Sequence, residues 1–190
     1  MTDERPDADD QRRAAADEGR RAAADAELVE VVDLAGTVVD VVPRAEMRRG
    51  RLRHRCTYVV VVDSQERLVV HRRADWKDVW PGRWDVAFGG VVDVGEDWGA
   101  AAQRELREEA GVEAGLLELG LGAYEDDDVS VLGRVYLARH DGPFAFDDGE
   151  VVEEDRIPLD DLEPWLEAHE VCPDSLALAA GALVELHRPS

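Results

Sequence analysis

The chain has 190 residues, with 44 Asp and Glu against 22 Lys and Arg, a formal net charge of −22, and 45% hydrophobic residues. That length and apolar content suit one core-forming domain with a tail. The acidic excess argues against a general nucleic-acid binder and against docking on an anionic membrane, since both need a basic face. Cys56 and Cys172 are too few for a disulfide framework, no apolar stretch nears a membrane span, and the N-terminus lacks the apolar centre of a secretion signal. A cytoplasmic protein is expected.

Residues 1–26 hold eight acids and five arginines among alanine runs. With almost nothing to anchor in a core, they read as a disordered or frayed helical tail ahead of a domain over residues 27–190. Glu27–Val32 and Thr37–Val42 are β-branched runs around Leu34–Gly36, a hairpin pattern. Thr57–Val62, a turn at 63–66 and Arg67–Arg72 read as a strand and its partner. Trp80-Pro81-Gly82 marks a loop, and Arg83–Phe88 alternates in polarity as a strand that ends in Gly89-Gly90. Ala100–Ala110 is the clearest helix, with Asp97 as N-cap and Gly111 as its stop. Leu116–Gly122 and Val129–Arg139 read as strands, Arg156–Leu159 as a short one, and Asp160–His169 and Ser175–His187 as helices. Strands, one helix, strands and then helices indicate the α+β class.

Charge is unevenly placed along these elements. From Arg44 to Arg73 there are nine arginines and three acids, whereas from Tyr124 to Glu170 there are sixteen acids and three arginines. A basic segment in an acidic chain suits a small anionic substrate; an ordinary solvated face is the competing reading.

Residues 90–112 carry the most information. Glu105, Glu108 and Glu109 stand at i, i+3 and i+4, within one sector of a helix turning about 100° per residue. Carboxylates crowded in this way repel, by a few tenths of a kcal/mol per pair. The crowding is useful if the face holds a hard divalent cation, and otherwise describes an exposed acidic helix. Arg104 is placed to reach back to Glu96 in the preceding loop.

The full spacing decides between these readings. Gly90, Glu96, Arg104-Glu105-Leu106, Glu108-Glu109 and Gly111-Val112 resemble the signature of the Nudix hydrolases at every fixed position. The resemblance extends more loosely from about Arg53 to about Leu186. It implies an α/β/α sandwich around a mixed β-sheet. It also implies that Glu105, Glu108 and Glu109 bind Mg²⁺ or Mn²⁺, joined by a backbone carbonyl near Gly89–Gly90, and that Arg104 orients a glutamate. The implied reaction is water attack on phosphorus in a nucleoside diphosphate derivative or another small diphosphate. Glu108 or Glu109 is the first candidate for general base, with Glu150 and Glu153 as alternatives. Homodimers are frequent in the family, so a homodimer is compatible with the resemblance.

Flanking segments resemble one branch of that family. Leu52–Tyr58, Val69–Arg73, Lys77 and Trp80–Trp84 are similar to the group containing isopentenyl-diphosphate isomerase and its bacterial hydrolase-like relatives. The isomerases carry a Cys-Gly-His segment where this chain reads Gly89-Gly90-Val91. His54 matches another isomerase metal-ligand position without its partners, and also reads simply as a residue at a strand start. An intact box favours hydrolysis over isomerisation. It also disfavours a non-catalytic nucleotide-binding module, which usually loses box glutamates. Arg55, Arg72, Arg73, Lys77 and Arg83 are candidate phosphate contacts, or partners for surface acids. Trp76, Trp80, Trp84 and Tyr124 are candidates for stacking on a base, or anchors. The substrate itself is left open.

Overall fold

In a computed structural model, residues 8–147 and 149–187 are described. The N-terminal segment begins with helix α1 (Ala8–Ala26), and residues 1–7 of the expected tail lie outside the described residues. Helix α1 is polar and alanine-rich; none of its described side chains is buried, and arginine contacts link it to the domain. The Arg21 guanidinium donates to the Trp76 and Asp75 carbonyls, and Arg20 lies over the Trp76 ring.

Strands β1 (Leu28–Val32) and β2 (Val38–Pro43) form the expected hairpin. The chain then enters a short helix, α2 (Arg44–Gly50), inside the arginine-rich segment. Only Met47 of this helix is buried, so its sequence lacks the apolar stripe that announces a helix.

Strands β3 (His54–Val62) and β4 (Arg67–Arg73) are joined by the turn as expected, but they pair only where Val62 meets Leu68. Beyond that point they separate. β3 runs parallel to β7 (Ser130–Arg139) from His54 with Val131 to Val62 with Arg139, and β4 runs antiparallel to β8 (Val151–Pro158). The space between them is bridged by the next segment. β5 (Trp84–Asp85) pairs with β4, after which Phe88 exchanges backbone hydrogen bonds with Val59 of β3 and the Gly90 carbonyl accepts from the Thr57 N–H. The expected strand over 83–88 is therefore a crossing from β4 to β3, and it delivers Gly89-Gly90 to the end of the gap.

Helix α3 (Trp98–Ala110) follows, and β6 (Leu116–Glu125) pairs antiparallel with β7. After β8 and a single 3₁₀ turn come α4 (Leu162–Ala168) and α5 (Pro173–Leu186). The strand expected over 156–159 is longer than its sequence suggests, because β8 is acidic and lies along the more apolar β4.

Strand alternation divides the core into two layers. Val59, Val61, Val69 and Phe88 pack under Ala102, Leu106 and Ala110 of α3. Val60, Val62, Leu68 and Val70 pack against Leu162 of α4 and Ala179 and Leu183 of α5. The result is an α/β/α sandwich around a mixed sheet. Among the described residues, no helix is long and apolar enough to cross a membrane.

Candidate active site

Helix α3 starts and stops where its sequence indicates. The Asp97 carboxylate accepts from the Gly99 and Ala100 N–H groups at 2.9 and 3.4 Å, and Gly111 closes the helix at φ 68°. Its apolar face locks onto the sheet, which turns Glu105, Glu108 and Arg104 toward a cleft of about 640 Å³ also lined by Glu109, Gly89 and Gly90.

Arg104 organises this wall. Its guanidinium meets both oxygens of Glu96 at 3.1 and 2.8 Å, Glu105 at 2.6 Å, Glu108 at 3.2 Å and the Val91 carbonyl at 3.2 Å. The box loop is thereby tied to the helix, and the Arg104 hydrogen bonds hold the Glu96 carboxyl below its ordinary range.

The three helix carboxylates differ in setting. Glu109 is only 4% exposed and accepts from the Gly89 N–H at 2.9 Å; burial pushes its carboxyl well above the usual range, opposed by Lys77. Glu105 is pushed up to about 7, first by burial, with Arg104 opposing and Glu108 and Glu150 adding repulsion. The Glu108 side chain is 52% exposed at the mouth of the cleft.

Two glycines make this arrangement possible. At Gly89, φ is 154° and a Cβ would lie 1.9 Å from the Thr57 carbonyl oxygen. At Gly90, a Cβ would lie 2.7–2.8 Å from the Glu105 carboxylate.

The NUDIX domain family matches residues 52–178 of the chain. The chain belongs to the Nudix family. YfcD of Salmonella typhi, an uncharacterized Nudix hydrolase, is 37% identical over 156 residues, covering 81% of this chain and 83% of that protein. Among solved structures, DR0079 from Deinococcus radiodurans has a TM-score of 0.69 at 24% identity, covering 85% of this chain and all of that one. The Nudix domain of Shewanella oneidensis NrtR, solved with ADP ribose, has a TM-score of 0.58 at 18% identity, covering 76% of this chain and 99% of that one. The chain is thus a Nudix hydrolase, an enzyme of pyrophosphate bonds.

Nudix enzymes generally use divalent metal ions, and the donor set here fits one. Burial raises the pKa of both Glu105 and Glu109 despite the positive charge near them, and the missing Cβ of Gly90 makes room for the Glu105 carboxylate on the cleft wall. Glu105 and Glu108 are drawn to Arg104 and Glu109 to the Gly89 N–H. Among the described residues, no three or more acids, histidines or cysteines are gathered closely enough to hold a metal ion as they stand.

The remaining sequence candidates separate into two groups. Arg73, Lys77 and Glu150 line the Nudix cleft, with Lys77 bonded to Glu150 and Arg73 3.6 Å from Asp85. Arg55, Arg72 and Glu153 do not line it. Arg55 lies between His54 and Cys56 on β3 and projects to the opposite face, onto Glu30 at 2.6 Å and over the Trp98 ring. Arg72 likewise alternates with Arg73, and it pairs at 3.0 Å with Glu153, its cross-strand neighbour on β8. Arg83 lies over Trp80, Trp84 packs edge-on against Trp165, and the Tyr124 hydroxyl donates to Asp126.

Sequence reasoning did not single out Arg44, Arg48, Asp78, Asp85 or Asp174, all of which line the cleft. The signal available was the spacing of Arg44 and Arg48, one helical turn apart.

Proposed function

We propose that this enzyme hydrolyses a diphosphate linkage in a small molecule, a nucleoside diphosphate derivative or a related diphosphate, with Mg²⁺ or Mn²⁺ held by Glu105, Glu108 and Glu109. The observation that carries this reading is the carboxylate face of α3, clamped by Arg104 and Glu96 and turned into a cleft of about 640 Å³. That volume suits a nucleotide-sized ligand. When bound, the divalent ion neutralises phosphate charge and lowers the pKa of water beside it.

The protein's own groups supply the rest. Arg73 and Lys77 attract the phosphates into the cleft. Glu108, the most accessible of the three helix carboxylates, takes a proton from the attacking water at its carboxylate oxygen. Glu109 braces the Gly89 backbone, and Arg104 fixes Glu105 against the loop. Glu150 lines the cleft as the alternative base, whereas Glu153 is engaged by Arg72 outside it. ADP ribose, the ligand of the NrtR domain, belongs among the first compounds to test.

The test is hydrolysis with Mg²⁺ or Mn²⁺ over nucleotides, nucleotide sugars, ADP ribose and prenyl diphosphates, read as phosphate freed from the phosphomonoester products by an added phosphatase. Glu108→Gln is expected to lower the rate at least about 100-fold while the melting temperature holds. Unchanged turnover in that variant would overturn the assignment.

A further inference from the structure

On the cleft wall contributed by α2, Arg48 is pinned from two sides. Its Nε donates to Asp78 Oδ2 at 2.9 Å, and Nη1 lies 3.4 Å from Nε2 of His54. His54 Nδ1 lies 2.9 Å from the Leu52 carbonyl oxygen, which can only accept, so the ring proton sits on Nδ1 and Nε2 offers its lone pair to Arg48. His54 is 1% exposed, and burial together with the neighbouring Arg48 pulls its pKa to about 3, so the ring is a neutral acceptor.

This arrangement leaves much of the guanidinium unused. Of its five N–H groups, one is directed to Asp78 and one to His54. The Arg48 side chain is 21% exposed where it lines the cleft. Arg44, one turn earlier, shares the same Asp78 oxygen at 3.7 Å, and the two arginines hold the Asp78 carboxyl down at about 2 despite its burial. Other arginines of the basic segment are committed away from the cleft: Arg53 to Glu125, Arg55 to Glu30, Arg67 to Asp63 and Arg72 to Glu153.

A free arginine loses rotamer entropy when it captures an anion, and one already held in place loses less. The imidazole lines the cleft but is 1% exposed, and it has no proton to give toward Arg48. Its ring contacts are the Leu52 carbonyl and Arg48, so its bond to Arg48 is the one that reaches an exposed cleft group.

We propose that Arg48 is a substrate-binding residue that donates hydrogen bonds to a phosphate oxygen, and that His54 and Asp78 are positioning residues holding its guanidinium in the cleft. This rests on the diphosphate reading above.

The test uses inorganic pyrophosphate as the probe, with Mg²⁺ present and the full chain in a calorimeter, so that no turnover is needed. Arg48→Ala is expected to weaken binding about tenfold or more, the loss of a charge-assisted contact. His54→Leu should weaken it severalfold in the natural chain, and His54→Gln, which restores an acceptor, should recover part of that loss. In the Arg48→Ala background His54→Leu should have no further effect, because its influence passes through the arginine. Binding within twofold of the natural chain in Arg48→Ala, or no binding by the natural chain, overturns the proposal. An equal loss from His54→Leu in both backgrounds overturns the positioning role. Pyrophosphate binding through Arg48 without hydrolysis of any diphosphate would overturn the hydrolytic reading alone.

Discussion

Gly89 and Gly90 are adjacent, yet alanine at each should fail in a different way. At Gly89 the added Cβ would sit 1.9 Å from the Thr57 carbonyl oxygen and 2.8 Å from its carbon, both backbone atoms of a central strand. The crossing segment must then retreat by more than an ångström. The hydrogen bonds at risk are Val59 N–H to Phe88 O at 2.6 Å, Thr57 N–H to Gly90 O at 2.9 Å and Gly89 N–H to Glu109 at 2.9 Å. Backbone strain of about 1–3 kcal/mol and about 1 kcal/mol for each lost bond give a destabilisation of at least about 3 kcal/mol. In a domain of this size that lowers the melting temperature by roughly 10 °C. At Gly90 the Cβ meets the movable end of Glu105 at 2.7–2.8 Å, and this carboxylate can swing away. Gly90→Ala should therefore melt within about 2 °C of the natural chain while losing about tenfold or more in kcat/KM, because Glu105 is displaced. Thermal melts without metal and initial rates with Mg²⁺ separate the two. A Gly89→Ala protein as stable as the natural chain would refute the close approach of loop and strand. A fully active Gly90→Ala would refute the packing of Glu105 on that glycine.

Two further outcomes follow from the site helix. Because Glu105 is pushed from its ordinary 4.5 up to about 7, the folded chain keeps a proton that the unfolded chain has released across that interval. Stability without metal should therefore fall as pH rises through this window and level off above it. Urea midpoints in EDTA at pH 5 and pH 7 measure the drop, and Glu105→Gln should shrink it; an equal drop in that variant would contradict the assignment, with Glu109 accounting for any residue. Asp97→Ala removes the acceptor for Gly99 and Ala100 and should cost about 1 kcal/mol, or a few degrees in melting temperature, and an unchanged melt would show that the cap contributes nothing.

The site was most legible where the chemistry is local. The carboxylate face, the Asp97 cap, the Gly111 stop and the tie between Arg104 and Glu96 all lie within a short stretch, and helix geometry relates their side chains directly. For Arg55 and Arg72 the sequence leaves phosphate contact and pairing with acids both open, because charge in a segment says nothing of the face a strand presents; they pair with Glu30 and Glu153, and each alternates with a neighbour that lines the cleft, His54 or Cys56 in one case and Arg73 in the other. The separation of β3 from β4 was hidden for a related reason. The turn at 63–66 signals a hairpin, but the partners these strands take, β7 and β8, are specified by residues some 70 to 90 positions away. Helix α2 was hidden by its arginines, since a single buried residue, Met47, gives no periodicity to read.

The splayed pair also sets the order in which the enzyme can be completed. His54 waits for Val131 and Arg67 for Pro158, so both central strands leave the ribosome well before their long partners exist. Pairings of such long range are slow to form. During that interval Val59–Val62 and Leu68–Val70, buried in the finished protein, present apolar edges that could recruit other chains. The 129 residues that precede β7 already carry 30 acids against 18 Lys and Arg, a net charge of −12, so nascent copies repel one another while the sheet is still open. The acidity first met as a bar to polyanionic partners is in this respect a safeguard during synthesis, and the α3 carboxylates become a working cleft wall only once β7 and β8 have arrived.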